Sequence, residues 1–442
     1  AGFKPGGVET DKLPANVRNR AMEAVDSYGG RVTIGDVASK AGLKTNEAER
    51  ALQAIAADTG GFLEVSDEGD VLYVFPKDYR TKLAARSFRM KIEPVLDKVK
   101  AASEYLIRVS FGTALVVSIL LVYTAILALL SSKSDDDDRG RRGRSFSPDL
   151  TFFFRPSDIF WYWDPFYYRK RQMQTNDMNF VESVFSFVFG DGDPNQGLEE
   201  ERWKLIGQYI ASNGGVVTAE ELAPYLDVLP TEQAMDDESY ILPVLLRFGG
   251  HPEIDDEGNI LYQFPSLQRT ASKRVGGKMK NWGDWVGGVQ QYLEEKKWLF
   301  SKAETPQMAM VVGLGALNLC GVIILGIMSK TAAVTSGGFV SVVLDILPLL
   351  QIYAAAFFAI PLFRYFLLRK TNADIDRRNL ARQQRARSLE RADSSLRSKL
   401  LSARDMARRM VIGSDKIVYS TEKDIADQDY EATDWDKRFR EL

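Results

Sequence analysis

One soluble module is written twice in this chain, and each copy runs on into a membrane span. The first copy carries Gly29-Gly30, Val32-Thr33, then Asp67-Glu68-Gly69-Asp70-Val71-Leu72-Tyr73, and closes at Phe75-Pro76. The second carries Gly214-Gly215, Val217-Thr218, then Asp256-Glu257-Gly258-Asn259-Ile260-Leu261-Tyr262, and closes at Phe264-Pro265. The first landmark recurs after 185 residues and the second after 189, so the second copy holds four extra residues, in the acidic stretch around Val228 to Glu238. A repeat on this scale sets the architecture before any short motif does.

Each copy reads as helix, strand, helix, helix, hairpin. In the first, Val17, Ala21, Ala24, Val25 and Tyr28 recur at helical spacing and Gly29-Gly30 stops the helix. Arg31 to Ile34 is a short β-branched strand, Ile34 to Ala41 a second helix, and Asn46 to Ala57 a third, capped by Thr45. Phe62 to Val65 and Val71 to Phe75 form a hairpin about Asp67 to Asp70. The second copy repeats this order with Trp203 to Ser212, Val216 to Thr218, Ala219 to Leu226, Ser239 to Phe248, and a hairpin of His251 to Ile254 with Ile260 to Phe264. Pro243 stands early in its third helix, where a missing N–H costs least. That order is the order of a winged helix.

Three stretches, Phe111 to Leu130, Met308 to Met328 and Phe339 to Phe363, are apolar enough and long enough to cross a bilayer, which takes about 20 residues. The fold expected is α+β with transmembrane α. It has an irregular start over 1–14, module 1 over 15–80, a linker helix over 81–109 and a first span over 110–131. A charged and aromatic segment (132–198), module 2 (199–268) and a second linker helix (269–305) follow. Two further spans (306–328 and 338–363) lead into a basic helical tail (364–442) that stands off the membrane. None of the spans is N-terminal, so none reads as a secretory signal; a chain beginning at Ala1 suggests a processed precursor.

Leu150 to Tyr168 is dense in aromatics but broken by Arg155, Pro156, Asp158, Asp164 and Pro165. It reads as an aromatic belt in the headgroup layer or a re-entrant turn, against the alternative of a loop docked on the protein. Trp161, Trp163, Trp282 and Trp285 are the expected interfacial aromatics, with Trp298 near them. Arg364, Arg369 and Lys370 follow the last span and place the tail, and with it module 2, on the synthesis side. Three spans would put module 1 on the opposite face. Its likeness to module 2 argues for the same face, with the aromatic segment giving a partial return.

The charge distribution argues against nucleic acid. Glu199 to Gln268 has 3 basic and 14 acidic residues, and Val17 to Arg80 has 8 basic and 11 acidic. Affinity for a duplex comes mostly from neutralised phosphates, which such surfaces repel. The tail is the opposite, with 14 basic and 5 acidic residues over Arg364 to Met410. A solvated helix face, lipid headgroups or a partner are its three readings. Cys320 and His251 are the only residues of their kinds, so no multi-cysteine metal site is built by this chain alone, and His251 in Gly249-Gly250-His251-Pro252 reads as a turn residue. Asp191, Asp193 and Asn195 imitate a calcium loop, but Gln196 and Arg202 stand where glycine and glutamate are needed.

Polar residues within spans are functional candidates by default, and Asn318, Asp345 and Gln351 qualify. Asn318 and Gln351 lie at matching depths in a hairpin of the second and third spans, which predicts a hydrogen bond between them. Gly313, Ala316 and Cys320 share a face that would let helices approach closely. No nucleotide loop, catalytic triad, acid–base pair or zinc set is visible.

The second half resembles a family. Phe180 to Asn195 (FVESVFSFVFGDGDPN) resembles a signature of membrane proteins from plant chloroplasts, algae and cyanobacteria. Glu201-Arg202-Trp203, Gly214-Gly215 and Glu221 to Leu226 are similar too, as are Gly313 to Leu319 and Ile360 to Phe366. The likeness covers most of the chain after about residue 15 and implies a processed chloroplast membrane protein with tandem winged-helix modules. Some members carry an iron–sulfur cluster biosynthesis label, which Cys320 alone does not support. The expectation is a non-enzymatic scaffold in a thylakoid or inner-envelope membrane, with both modules stromal. It would need no cofactor, though lipid or pigment contact at partner interfaces is compatible with it. Its partners would be membrane-complex subunits and the bilayer, without nucleic acid or small-molecule substrate. The rivals are a membrane-tethered regulator and a small channel or transporter component.

Overall fold

The computed structural model describes residues 8–132, 179–228, 238–271, 290–331 and 338–422. They form two compact units. One comprises Ala1–Leu96, Asn195–Lys296 and Asp374–Leu442; the other comprises Asp97–Pro194 and Lys297–Ala373.

In the first unit, module 1 is built from α1 (Ala15–Ser27), β1 (Arg31–Thr33), α2 (Ile34–Ala41), α3 (Thr45–Thr59), β2 (Phe62–Ser66) and β3 (Val71–Val74), followed by α4 (Tyr79–Arg86). The next helix, α5 (Phe88–Ser132), starts here and continues as the first apolar helix, while α6 (Phe180–Phe189) belongs wholly to the second unit. Module 2 repeats the plan with α7 (Leu198–Ser212), β4 (Val216–Val217), α8 (Ala219–Leu222, with a 3-10 turn Ala223–Tyr225), α9 (Leu242–Phe248, after a 3-10 turn Glu238–Ile241), β5 (His251–Ile254) and β6 (Ile260–Gln263). The three strands of each module pair in the same order, β1-β3-β2 and β4-β6-β5.

The repeat extends to single hydrogen bonds. Phe75 N donates to Gly30 O at 2.8 Å, and Phe264 N donates to Gly215 O at 2.7 Å. Thr33 and Asp36 form a reciprocal capping box at the start of α2, and Thr218 and Glu221 form the same box at α8. Matching the hairpin registers makes Leu63 the counterpart of Pro252, and Val65 and Val71 the counterparts of Ile254 and Ile260.

The two modules share one hydrophobic core, in which Val25, Leu52 and Ile55 are continuous with Ile206, Val244 and Phe248. The join is a close backbone approach between α2 and α7. A Cβ on Gly42 would lie 2.5 Å from Lys204 N, and one on Gly207 would lie 2.8 Å from Ser39 Cα. Gly42 also ends α2 at φ 63°, in the left-handed region that favours glycine. Side chains lock the join: Arg247 donates to Gly42 O at 2.8 Å and Asp36 accepts from Ala271 N at 2.9 Å.

After β6 come the short α10 (Pro265–Gln268) and β7 (Arg269–Thr270). A linker helix was expected to run on to residue 305. Residues 290–304 instead carry no helix. Asparagine side chains satisfy their backbone in place of a helical ladder. Asn195 and Asn379 each clamp the N–H and C=O of one residue in the first unit, Lys296 and Glu295, and Asn372 clamps those of Trp298 in the second.

The second unit holds the apolar bundle. It contains most of α5, then α6, α11 (Thr305–Thr331) and the first part of α12 (Phe339–Glu390). Three helices here are long and apolar enough to cross a membrane. Their inward faces are aliphatic: Val122 and Leu129 of α5 meet Val322 and Leu325 of α11 and Val343, Leu347 and Ala354 of α12. Outward positions such as Leu120, Ile327, Leu349 and Ile352 are exposed, as a lipid-facing surface requires. α6 packs against α11 and the middle of α5, where Gly112 leaves room for Val181.

The tail does not stand off as a free helix. Its residues from Asp374 onward belong to the first unit. There α13 (Ser394–Met406) packs on the β4 side of module 2, β8 (Met410–Val411) pairs in parallel with β7, and β9 (Ile417–Ser420) adds antiparallel to β2. Charge complementarity and a free strand edge explain the docking.

Candidate functional site

The basic tail and the acidic second module are each other's partners. Arg382, only 2% exposed, donates to Asp227 at 2.5 Å, to Glu295 at 2.8 Å and to Leu293 O at 3.2 Å. Arg378 forks onto both oxygens of Glu295 at 2.8 and 2.6 Å, and Arg202 reaches Asp227 at 2.7 Å. Lys399 bridges Glu220 at 2.9 Å and Glu238 at 2.7 Å, and Glu238 also accepts from the Tyr262 hydroxyl at 2.5 Å. Burial alone would raise the carboxyls of Asp227 and Glu295. The hydrogen bonds and charges of Arg382 and Arg202 on the first, and of Arg378 and Arg382 on the second, outweigh it and hold both below the ordinary range. Sequence reasoning singled out none of Arg382, Lys399, Asp227 and Glu295. The signal was the opposed charge of the two segments.

The clasp leaves one side of module 2 uncovered by the described tail. Leu242 and Leu246, one turn apart on the third helix, are 54% and 76% exposed, with Pro243 between them also open. Ile254 and Ile260 face each other across the hairpin and are 70% and 41% exposed. They share the hairpin face of Tyr262, whose hydroxyl reaches Glu238 at the start of the third helix. Glu253, Asp255, Asp256 and Glu257 surround the turn, and Asp255 is spent on it, accepting from the N–H groups of Glu257 and Asn259.

Within the bundle, Asn318 is fully buried but does not meet Gln351. Its oxygen accepts from Ser118 of α5 at 2.8 Å, and no partner for its amide nitrogen is present among the described residues. Gln351 is exposed beside Gly326, and Asp345 is exposed as well. The reason is rotational: Leu347, Leu350, Ala354 and Phe357 set the inward face of α12 and turn 351 away. The close-approach face was also misread. Gly313, Ala316 and Cys320 point outward, while Gly315 lies under Phe357 and Gly321 against Val122 and Tyr123.

Of the basic residues after the third span, Arg369 and Lys370 are exposed, but Arg364 is pinned. It donates to Ser186 O at 3.2 Å and to Phe300 O, and stacks over the Phe300 ring at 4.5 Å. Trp161, Trp163, Trp282 and Trp285, and the aromatic belt itself, lie outside the described residues. His251 is exposed at the start of β5. Asp191 accepts from Ser186 Oγ and Lys302 N, both at 2.8 Å, and so acts as a turn residue. Among the described residues no group of three or more His, Cys, Asp or Glu side chains is placed to hold a metal ion.

The chain is 63% identical over 450 residues to an Arabidopsis thaliana protein named "Uncharacterized protein At5g03900, chloroplastic", in a match covering 100% of this chain and 86% of the relative. It belongs to that protein's family. No family model matches the chain, and no solved structure does. The relative's chloroplast label and the three apolar helices together fit a chloroplast membrane protein.

Proposed function

We propose that the chain is a non-enzymatic membrane scaffold whose two winged-helix modules dock subunits of membrane complexes during their assembly, insertion or import. The observation that carries the reading is the fused pair of modules in a chain with apolar spans, showing exposed aliphatic side chains where a nucleic-acid reader would show cations. The element order and the 1-3-2 strand order of both modules support the winged-helix assignment. Their shared core leaves no room for a bilayer between them, which favours one membrane face for both. Arg369 and Lys370 after the third span favour the stromal face of a thylakoid or inner-envelope membrane. Gentle detergent extraction, native separation and identification of co-migrating polypeptides test the proposal. Membrane-complex subunits should travel with the chain in fixed proportion. A chain that migrates alone, or that turns over a substrate unaided, would overturn it.

A further inference from the structure

We propose that the third helix and hairpin of module 2 form a docking surface for a basic amphipathic helix of another polypeptide, an inference that rests on the scaffold reading. Scattered exposed aliphatic residues need no explanation, but four on two adjoining elements do. Leu242 and Leu246 make a ridge at i,i+4 spacing, and Ile254 and Ile260 extend the apolar side onto the hairpin. Module 1 has Gln53 and Ala57 at the positions of Leu242 and Leu246, so the fold does not require leucine there. Module 1 also has its hairpin edge covered by β9, whereas no described strand pairs with the outer edge of β5.

Charge selects the occupant. The tail neutralises Glu220, Glu238, Asp227 and Glu295. Among the described residues Asp256 and Glu257 at the hairpin turn pair with no cation, and the Glu257 side chain meets the Ser398 hydroxyl; Glu253 lies on the opposite hairpin face, with Leu261. An apolar ridge beside uncompensated carboxylates suits a helix with leucine-like residues on one face and Lys or Arg on its flanks. The same carboxylates repel an anionic lipid surface and a phosphate backbone.

The test uses the full chain in nanodiscs of zwitterionic lipid, titrated with a synthetic Leu/Lys amphipathic helix about five turns long. The comparison probes are a Leu/Glu helix of the same pattern and a scrambled Leu/Lys peptide. We expect saturable binding of the Leu/Lys helix alone, with a Kd on the order of micromolar that weakens as salt is added. The double variant Leu242→Glu/Leu246→Glu should lose at least about tenfold in affinity. Leu242→Gln/Leu246→Ala, which installs what module 1 carries, should lose affinity in the same direction with an unchanged melting temperature. Equal binding by wild type and both variants, or equal binding of all three peptides, overturns the assignment. Binding of anionic vesicles that the double glutamate variant abolishes would overturn it in favour of a lipid surface. Co-purification keeps the two readings apart. If native companions remain with both variants, the surface is wrong and the scaffold stands; if wild type has no companions, the scaffold reading fails first.

Discussion

Modules 1 and 2 have one topology and opposite relations to the rest of the chain. At the edge of module 1's sheet, Leu63 N donates to Thr421 Oγ1 at 2.8 Å, Leu63 O accepts from Thr421 N at 2.9 Å, and β9 completes a fourth strand. At the same place in module 2 stands Pro252, which has no N–H to offer, and the edge is left without a described strand. The acidic face of module 2 is instead clasped by Arg382 and Lys399, and the stretch after it by Arg378 on Glu295. One copy is closed by backbone pairing and the other by charge. The surface left open on the second is apolar. Both copies thus hold the tail, the first at its sheet edge and the second through its acidic face, and the second leaves Leu242, Leu246, Ile254 and Ile260 exposed.

Breaking the charged closure should have the largest effect. Arg382→Met leaves Glu295 and Asp227 short of their buried cation, and removing one member of such a network costs about 3 kcal/mol or more. A lowered melting temperature of the first unit, with Gln291 to Lys296 opening first in hydrogen exchange, is the expected result. The join between modules comes next. Gly207→Ala would force its Cβ into the Ser39 backbone, an overpacking of about 1–3 kcal/mol. Gly60→Ala, where a Cβ meets nothing but φ is 71°, should cost only about 1 kcal/mol. If the two glycine variants cost the same, the modules do not share a tight interface.

Leu63→Pro sharpens the contrast of the edges, since it gives module 1 the residue of module 2. It should release β9 at a cost of about 1 kcal/mol and raise proteolysis near residue 420, leaving module 2's exchange unchanged. The smallest effects are those of pH. Asp227 and Glu295 have lowered folded values, so their contribution is complete above the ordinary carboxylate range and is lost as pH falls below about 4. Asp36 has the reverse sign. Burial raises it despite hydrogen bonds from Ala271 N and Thr33, so its contribution is complete at low pH and is lost as pH rises through its folded value. The stability of Asp36→Asn relative to wild type should therefore increase with pH, as thermal melts at several pH values would register.

The parts of the fold legible in the sequence are those fixed by local rules. Hairpins followed from turn residues between β-branched runs, and spans from unbroken apolarity. What escaped was long-range. Arg382 and Asp227 are 155 residues apart, and only the opposed charge of their segments hinted at the pair. Depth along a helix could not reveal rotation, so Asn318 was matched to Gln351 when a third helix offered Ser118. The composition of Gln290 to Lys302 permits a helix. Asn195, Asn372 and Asn379 bond its backbone in a non-helical path, and no local pattern announces that.

A photo-crosslinking residue placed at position 246 of module 2, and in a second variant at position 57 of module 1, interrogates both copies in native membranes. The account predicts adducts with other polypeptides from position 246 and few or none from position 57. Equal adducts from the two positions, or none from position 246, would contradict it.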